Sequence, residues 1–285
     1  MSFRGLASLV APLFALMAGS ALAQTADPGG DHPPPPRAAP LKPVEMTEEL
    51  PPPREGVIVF GGNRDLGLEI VKELVAKGEK VTVMVRPSSD KTELEKLGVT
   101  LVEGDAMNPE LAAKAAASAY YKAAISTLGG KPAPDGEPVD FEGNKNVIDG
   151  AAAAKIPRFV LVTTIGTGNS YSAAPLFARF VLRKILPLKE KAEEHLKASG
   201  MKYTIIRPGG LLKRPPEGKA VLTEDASKFG WIIRADLGKL VADAVYDEAA
   251  ANKVYSAYDT TRDSFFSGLF ERLDENKKEK EDAKK

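Results

Sequence analysis

The sequence contains no cysteine, and its only two histidines, His32 and His195, stand far apart in the chain. The absence of cysteine excludes disulfide bonds, thiolate zinc sites and cysteine nucleophiles. Two distant histidines give little basis for a metal site or a Ser-His-Asp triad, so no bound metal is expected. Excess charge is also missing, because 39 basic side chains balance 39 acidic ones. No overall field therefore attracts an anionic membrane or nucleic acid, and no nucleic-acid partner is expected.

A hydrophobic run long enough to cross a bilayer is lacking as well. The apolar stretch from Leu6 to Met17 is shorter than the roughly 20 residues that a transmembrane helix needs. It follows Arg4 and precedes Ala21-Leu22-Ala23, which has the pattern of a cleavage site. This layout predicts a signal peptide over residues 1–23 and export of the protein to the periplasm. The alternative is an uncleaved segment that anchors the protein to a membrane, and a membrane partner is expected only in that case.

Two further segments lack the apolar periodicity of a folded domain. Residues 24–54 hold ten of the 22 prolines, which favour an extended, semi-rigid chain, so we interpret them as a linker. Residues 263–285 finish in the mixed-charge run DENKKEKEDAKK, which predicts a frayed helix or a disordered tail. Hydrophobic residues make up 43% of the chain, enough for a substantial core. We interpret residues 55–262 as one domain.

Within residues 55–262, short apolar runs alternate with segments of helical periodicity. Leu66, Ile70 and Leu74 recur at helical spacing, and Gly78 ends that first helix. Further helices are predicted over 142–154, 189–199 and 236–246. The predicted strands are Val57–Phe60, Lys80–Val85, Thr100–Glu103, Ala123–Thr127, Phe159–Thr164, Lys202–Arg207 and Val254–Tyr258. This alternation predicts an α/β fold, a Rossmann-type doubly wound parallel sheet in a single domain.

The first strand runs into a glycine turn that opens the first helix, within VIVFGGNRDLGLEI. This is the context of a dinucleotide-binding loop, in which backbone N–H groups of the helix start point at a pyrophosphate. Gly61 would make the tight turn, and Gly67 would let the helix pack closely on the sheet. The predicted phosphate loop comprises Gly61, Gly62, Asn63, Arg64, Asp65, Leu66 and Gly67.

The end of the second strand indicates which dinucleotide binds. NAD sites need an acid there to accept from the ribose hydroxyls. This sequence reads VTVMVRPSS, with Arg86 and no carboxylate. A guanidinium can hold a 2′-phosphate with paired bonds, and Arg64 on the turn would add a second positive charge. NADP(H) is therefore predicted in preference to NAD(H). The alternative is that both arginines are solvated loop residues.

Five stretches, in sequence order, resemble one known family. They are VFGGNRDLGLEIVKELVAKGEKVTVMVRP, LVEGDAMNP, VDFEGNKNVIDGAAAAKIPRFVLVTTIGTG, KEKAEEHLKASGMKYTIIRPGGL and RADLGKLVADAV. They look like the atypical short-chain dehydrogenase/reductases, in particular the NAD(P)H-binding, NmrA-like branch. The resemblance covers nearly all of residues 56–258, and the block around YTIIRPGG is its most specific element.

The resemblance implies further contacts with the cofactor. Asp105, with Ala106 beside it, would lie near the adenine. The loop Ser126-Thr127-Leu128-Gly129 would lie against the cofactor ribose, and Arg207-Pro208-Gly209-Gly210 would line the nicotinamide end. Judged from the residues alone, Arg-Pro-Gly-Gly after a strand is also a plausible plain turn.

The glycine turn departs from the family pattern, because its two possible middle positions are Arg64 and Asp65 rather than glycine. Aspartate tolerates left-handed backbone better than most residues, so the turn can form. Its charge opposes binding, since a carboxylate about 5 Å from a phosphate costs roughly 3 kcal/mol at an effective dielectric near 20. Pairing with Arg64, or an outward orientation, would offset most of that cost.

The catalytic pair of the Tyr-dependent reductases is incomplete. Those enzymes place a tyrosine, the general acid, four residues before a lysine. Here Lys189 and Lys191 are preceded at that spacing by Ile185 and Pro187. We assign Lys191 to the cofactor and catalytic sites, with a plain helix-surface charge as the alternative.

Hydroxyl groups near the fifth predicted strand are the other catalytic candidates. Thr163 and Thr164 stand where those reductases have the serine that orients a carbonyl, and Thr163 is also assigned to the cofactor site. Tyr171 is the only tyrosine nearby and is the third candidate. The alternative is that its ring only packs against the rim of the site, as a loop residue.

Two classes of function remain open at this stage. The first is an NADPH-dependent oxidoreductase, whose small-molecule acceptor takes its proton from water, as flavins and bilins do. The second is a dinucleotide-binding sensor, scaffold or assembly module without turnover, which needs no substrate. We favour the oxidoreductase, although reduced dinucleotide is not expected outside the cytoplasm.

Overall fold

The computed structural model describes residues 53–130 and 138–282. The predicted signal peptide, residues 1–23, and nearly all of the predicted linker, residues 24–54, lie outside the described residues. In the described part, helices cover both faces of a mostly parallel sheet. The prediction of a Rossmann-type single α/β domain is confirmed.

The central sheet has the strand order β3-β2-β1-β4-β5-β6-β10-β8. Only β8 runs antiparallel to its neighbour in this sheet, and a separate parallel pair joins β7 to β9. The chain moves outward from β1 to β3 and then returns to start β4 beside β1, which creates a topological switch point. The strands are β1 Val57–Phe60, β2 Val81–Val85, β3 Thr100–Glu103, β4 Ala123–Ser126, β5 Arg158–Val162, β6 Lys202–Pro208, β7 Gly210–Leu212, β8 Ala220–Thr223, β9 Trp231–Ile233 and β10 Lys253–Asp259.

The helices divide between the two faces of the sheet. Helices α1 and α7 share one core with the sheet, and α3, α4 and α6 share the other. β1 and β5 are buried along their whole length, as the apolar runs VIVF and FVLV predict, and β5 also buries its first residue, Arg158. The helices are α1 Asp65–Ala76, α2 Thr92–Lys96, α3 Pro109–Ala116, α4 Glu142–Ala153, α5 Leu176–Val181, α6 Leu186–Ala198, α7 Arg234–Ala244 and α8 Phe265–Asp282.

All seven predicted strands are present in the sheet, with ends within two residues of their predicted positions. The sequence analysis missed β7, β8 and β9, which are three or four residues long and too short for a periodic signal. It also missed α3, although that helix has a start signal. Pro109 opens α3, and the Asn108 side chain accepts from the N–H groups of Glu110 and Leu111.

The segment after residue 262, expected to be a frayed helix or a disordered tail, forms helix α8 over its described part. Gly268 allows α8 to pack on the Trp231 ring, because a Cβ at Gly268 would lie 2.2 Å from it. Arg262 joins this helix to the domain through ion pairs with Glu217 at 2.9 Å, Asp259 at 2.6 Å and Glu271 at 3.2 Å. These carboxylates, Glu217 first, raise the pKa of Arg262. The tail thus begins as a docked helix.

Candidate functional site

The loops after β1 and β4 meet at the switch point of the sheet. The N–H of Thr127 donates to the Phe60 carbonyl at 3.0 Å, and its hydroxyl donates to the Gly61 carbonyl at 3.2 Å. In open α/β sheets, ligands bind in the crevice at this point, beyond the carboxyl ends of the strands. The predicted phosphate loop and the predicted ribose loop therefore lie side by side.

The glycine turn is built around close backbone approach. Gly61 has a φ of +86°, and a Cβ at Gly67 would lie 2.0 Å from the Gly61 carbonyl oxygen. Gly62 and Leu66 are buried, so this side of the turn is fixed to the core, while Asn63 is half-buried. Only glycine lets helix α1 start so close to the end of β1.

The first turn of α1 carries no side-chain cap. Arg64 occupies the N-cap position with extended backbone, a φ of −157° and no capping hydrogen bond from its side chain. Asp65 follows with a φ of 48°, in the left-handed region that aspartate tolerates. Uncapped N–H groups and the helix dipole together favour an anion at this end.

Two exposed arginine side chains follow the first two strands of the sheet, Arg64 after β1 and Arg86 after β2. Arg64 is exposed, with its guanidinium near Gly130, and Arg86 is exposed directly after β2. Among the described residues, neither side chain has a hydrogen bond or ion pair. No acid stands in the four residues that follow β2, Arg86 to Ser89. Both guanidinium groups are available to bind phosphate.

The carboxylate of Asp65 points outward, and its closest cation is Arg234 rather than Arg64. The Asp65 side chain is 62% exposed, and its Oδ1 lies 3.9 Å from Nε of Arg234. Arg234 is the first residue of α7, which packs on α1. The sequence analysis missed this arginine, since only the packing of the two helices brings it to the turn.

We expect Arg234 to offset the repulsion between Asp65 and a bound phosphate. Asp65→Gly alone should change NADPH affinity by less than about 1 kcal/mol, the range of exposed ion pairs. Arg234→Ala should weaken binding more, because it removes a cation and leaves the carboxylate uncompensated. Titration of NADPH into the two single variants and the double variant measures the coupling free energy between Asp65 and Arg234. Equal losses in Arg234→Ala and Asp65→Gly/Arg234→Ala would show that the Asp65 carboxylate does not repel the phosphate, even when Arg234 is absent.

A buried amide holds the loop after β4 in place. Asn144 on α4 accepts from the Ser126 hydroxyl at 2.6 Å and donates to the Leu128 carbonyl at 3.2 Å. Nearby, Asn146 donates to the Ala106 carbonyl at 2.9 Å, and Asp105 accepts from the Met107 N–H. The two asparagines hold the predicted ribose loop and the segment predicted near the adenine. Neither was among the predicted site residues.

Lys189, rather than Lys191, stands against the predicted ribose loop. A Cβ on Gly129 would lie 2.7 Å from Nζ of Lys189 and 2.8 Å from Oδ1 of Asp140. Lys189 and the fully buried Asp140 form an ion pair at 2.8 Å. Neither oxygen of Asp140 has a partner in hydrogen-bonding geometry among the described residues. An ammonium and a carboxylate with spare bonding capacity thus border Gly129.

Lys191 faces solvent instead. Its Nζ lies 5.7 Å from the centre of the Phe141 ring, and it lines an open groove of about 490 Å³ together with Glu194 and His195. Tyr171 is 53% exposed and stacks under the Arg179 guanidinium, 5.1 Å from its ring centre. These two catalytic candidates thus contact other side chains, Phe141 for Lys191 and Arg179 for Tyr171.

The Thr163 hydroxyl is hydrogen-bonded to a buried charge pair, Glu193 and Arg207. Its hydroxyl donates to Glu193 Oε1 at 2.7 Å, and Arg207 donates to both oxygens of Glu193, at 3.0 and 2.5 Å. Arg207 also donates to Asn169. Arg207, which the resemblance implied at the nicotinamide end, is 3% exposed and turns inward to Glu193. Thr163 is therefore not free to orient a substrate, whereas Thr164 is half-buried with its hydroxyl 3.5 Å from the Pro208 carbonyl.

Both glycines after Pro208 have a packing role. A Cβ at Gly209 would lie 1.8 Å from the Gly230 carbonyl oxygen, and one at Gly210 would lie 2.3 Å from the Trp231 ring. The close approach of Gly230 and Trp231 therefore explains why glycine stands at both positions, without a bound cofactor. Pro208, Gly209 and Gly210 keep their assignment to the nicotinamide end only as a prediction.

The fold and this crevice define a dinucleotide-binding protein of the Rossmann type. Residues 61–248 match the family model described as NAD(P)H-binding, and the chain belongs to that family. It is 30% identical over 207 residues to a Bacillus subtilis (strain 168) protein named "Uncharacterized sugar epimerase YhfK", covering 70% of this chain and 92% of that one.

Two solved structures share the fold and part of the sequence. One is described as "ChuY: An Anaerobillin Reductase from Escherichia coli O157:H7", with 29% identity, a TM-score of 0.65, and coverage of 72% of this chain and 97% of that one. The other is a putative NAD-dependent epimerase/dehydratase from Bacillus halodurans, with 26% identity, a TM-score of 0.63, and coverage of 72% and 94%. The chain is therefore a member of an NAD(P)H-binding, oxidoreductase-like family.

Proposed function

We propose that this protein binds NADP(H) and transfers hydride to a small acceptor. The observation that carries the proposal is a pair of exposed guanidinium groups, Arg64 at the uncapped start of α1 and Arg86 directly after β2. Within the described residues, neither has a side-chain hydrogen bond or ion pair. The site fits a dinucleotide, because Gly61 and Gly67 let the uncapped start of α1 lie directly beyond the end of β1. The helix start would take the pyrophosphate, as in other Rossmann sites.

Preference for the 2′-phosphate follows from the charges at the end of β2. An acid there would accept from the ribose hydroxyls of NAD and repel the phosphate of NADP. Arg86 stands there instead, exposed and free of any side-chain partner in the described part of the chain. A guanidinium binds phosphate through two parallel hydrogen bonds, so the site favours NADP(H).

The nicotinamide cofactor supplies hydride when bound. Lys189 offers its ammonium to the ribose hydroxyls from beside Gly129, and Asp140 holds that ammonium in place. Four residues before Lys189 stands Ile185, which has no proton to donate. The acceptor is therefore one that takes its proton from water. The Escherichia coli protein described as an anaerobillin reductase supports a bilin as one such acceptor.

Fluorescence titration of the purified full chain with NADPH and with NADH tests the cofactor assignment. We expect NADPH to bind at least tenfold more tightly, because the 2′-phosphate adds a charge-assisted contact worth about 1.5–3 kcal/mol. Equal affinities would contradict the NADP(H) preference. No binding of either cofactor at millimolar concentration would overturn the oxidoreductase proposal.

A turnover assay separates the enzyme from a binding module. The chain with NADPH is mixed with a flavin or with a linear tetrapyrrole, and loss of the reduced-nicotinamide absorbance is followed. Oxidation of NADPH that needs both protein and acceptor supports the proposal. Tight NADPH binding without turnover on either acceptor would favour a sensor or assembly module.

A further inference from the structure

Helix α5 presents an apolar face to solvent. Leu176, Phe177, Phe180 and Val181 are 75%, 70%, 67% and 55% exposed. Residues three and four apart lie on the same side of a helix, so these four side chains form one continuous patch. No residue of α5 is buried. Single exposed apolar side chains are ordinary, but a contiguous patch marks an interaction surface.

Basic side chains surround this patch, here called the α5 patch. Arg179, Arg183 and Lys184 lie in or just after the helix, and no acidic residue stands between positions 170 and 190. The guanidinium of Arg183 lies 4.7 Å from the centre of the Phe180 ring, and its Nη1 donates to the Phe180 carbonyl. Arg183 thus covers an aromatic side chain while its charge stays at the surface.

The charge distribution discriminates between the possible occupants of the patch. A second copy docked by two-fold symmetry would bring the same patch against itself, so Arg183 and Lys184 would meet like charges. A bilayer that contains anionic lipid offers acyl chains to the apolar side chains and phosphates to the basic ones. Helices with phenylalanine and leucine on one side and arginine or lysine beside them are typical of membrane surfaces.

We propose that the α5 patch docks this protein on the surface of an anionic lipid bilayer. Docking would be peripheral, since within residues 53–130 and 138–282 no helix has the length and hydropathy to span a membrane. The N-terminal sequence predicts a membrane contact only if residues 1–23 stay uncleaved, and the α5 patch is a second, separate route to the membrane. Overall neutrality of the chain does not oppose it, because attraction to lipid acts over about one Debye length.

The absence of cysteine permits a local test in the full chain. Val181→Cys, labelled with an environment-sensitive fluorophore, reports on the α5 patch. Lys114→Cys, with the same label on the exposed surface of α3, is the matched control. Both proteins carry the same N-terminal segment, so a difference between them reports the helix and not the terminus. The probes are vesicles of phosphatidylcholine alone and of phosphatidylcholine mixed with phosphatidylglycerol.

With the mixed vesicles, we expect a blue shift and a several-fold rise in emission from the label at 181, and no change at 114. The rise should fall with added salt, and it should be largely lost with phosphatidylcholine alone. The double substitution Phe177→Glu/Phe180→Glu, made in the chain labelled at position 181, should lower its vesicle affinity about tenfold or more. Its NADPH binding should stay unchanged.

Two results would overturn the proposal. One is an unchanged label at 181 with mixed vesicles under low salt, while the domain remains folded and binds NADPH. The other is a concentration-dependent dimer, in sedimentation velocity, that Phe177→Glu dissociates and that vesicles do not compete with. The second result would assign the α5 patch to a contact between copies of the chain.

Discussion

Glu193→Ala should lower the free energy of unfolding by about 3–5 kcal/mol, the cost of leaving a buried charge without its partner. Glu193 is fully buried and accepts from Arg207 through both of its oxygens. Arg207 is 3% exposed, so the substitution leaves a buried guanidinium without its counter-charge, with Asn169 as its remaining side-chain acceptor. Thr163 also loses its acceptor. Urea or thermal unfolding of the purified variant measures the loss.

The neighbouring Glu194 provides a matched control. It is exposed and pairs with Lys197 three residues along the helix. Glu194→Ala should therefore change stability by no more than about 0.5 kcal/mol. Glu193→Gln keeps the size of the side chain and should cost less than alanine. Replacing both partners, as Glu193→Leu/Arg207→Met, should recover much of the loss, because no buried charge remains. A loss under about 1 kcal/mol in Glu193→Ala would contradict the inferred burial of the pair.

Arg86→Ala should weaken NADPH binding by about 1.5–3 kcal/mol, which is roughly ten- to hundredfold. The guanidinium stands at the end of β2, where the 2′-phosphate distinguishes the two dinucleotides. NADH lacks that phosphate, so its affinity should hardly change. The ratio of the two dissociation constants, from parallel fluorescence titrations, is the measurement. The expected result is a protein that no longer discriminates between NADPH and NADH.

Arg183→Ala is the control for a general effect of charge. Arg183 is also exposed, but it lies beside the α5 patch, apart in sequence from the loops that follow β1, β2 and β4. Its removal should leave both affinities unchanged. Equal losses of NADPH and NADH binding in Arg86→Ala would show that Arg86 contacts a group that both cofactors share, and not the 2′ position.

The predicted nucleotide site came from signals that are local in the chain. The glycine turn and Arg86 each follow a buried strand directly, and strands buried on both faces read as continuous apolar runs. The carboxyl ends of parallel strands meet at one edge of the sheet, so loops that follow such strands converge there. No distant contact is needed to place Gly61 near Thr127.

The sequence did not show which lysine, Lys189 or Lys191, faces the predicted cofactor site, because no tyrosine stands four residues before either of them. A signal was nevertheless present in α6, where Lys189 and Glu193 occupy the same helical stripe as Leu186 and Leu196. Charged side chains within an apolar stripe must find buried partners, because an unpaired buried charge is too costly. The sequence alone does not name those partners, Asp140 and Arg207.

The amino-acid sequence by itself determined the doubly wound sheet, the glycine turn and the charge at the end of β2, because burial pattern and backbone freedom are properties of short segments. Tertiary structure alone decided that Arg234 stands by Asp65, that Glu193 holds Thr163 and Arg207, and that the α5 patch stays exposed. These features depend on which faces of distant elements meet. That choice is made by packing of the whole domain, through side chains far apart in the chain.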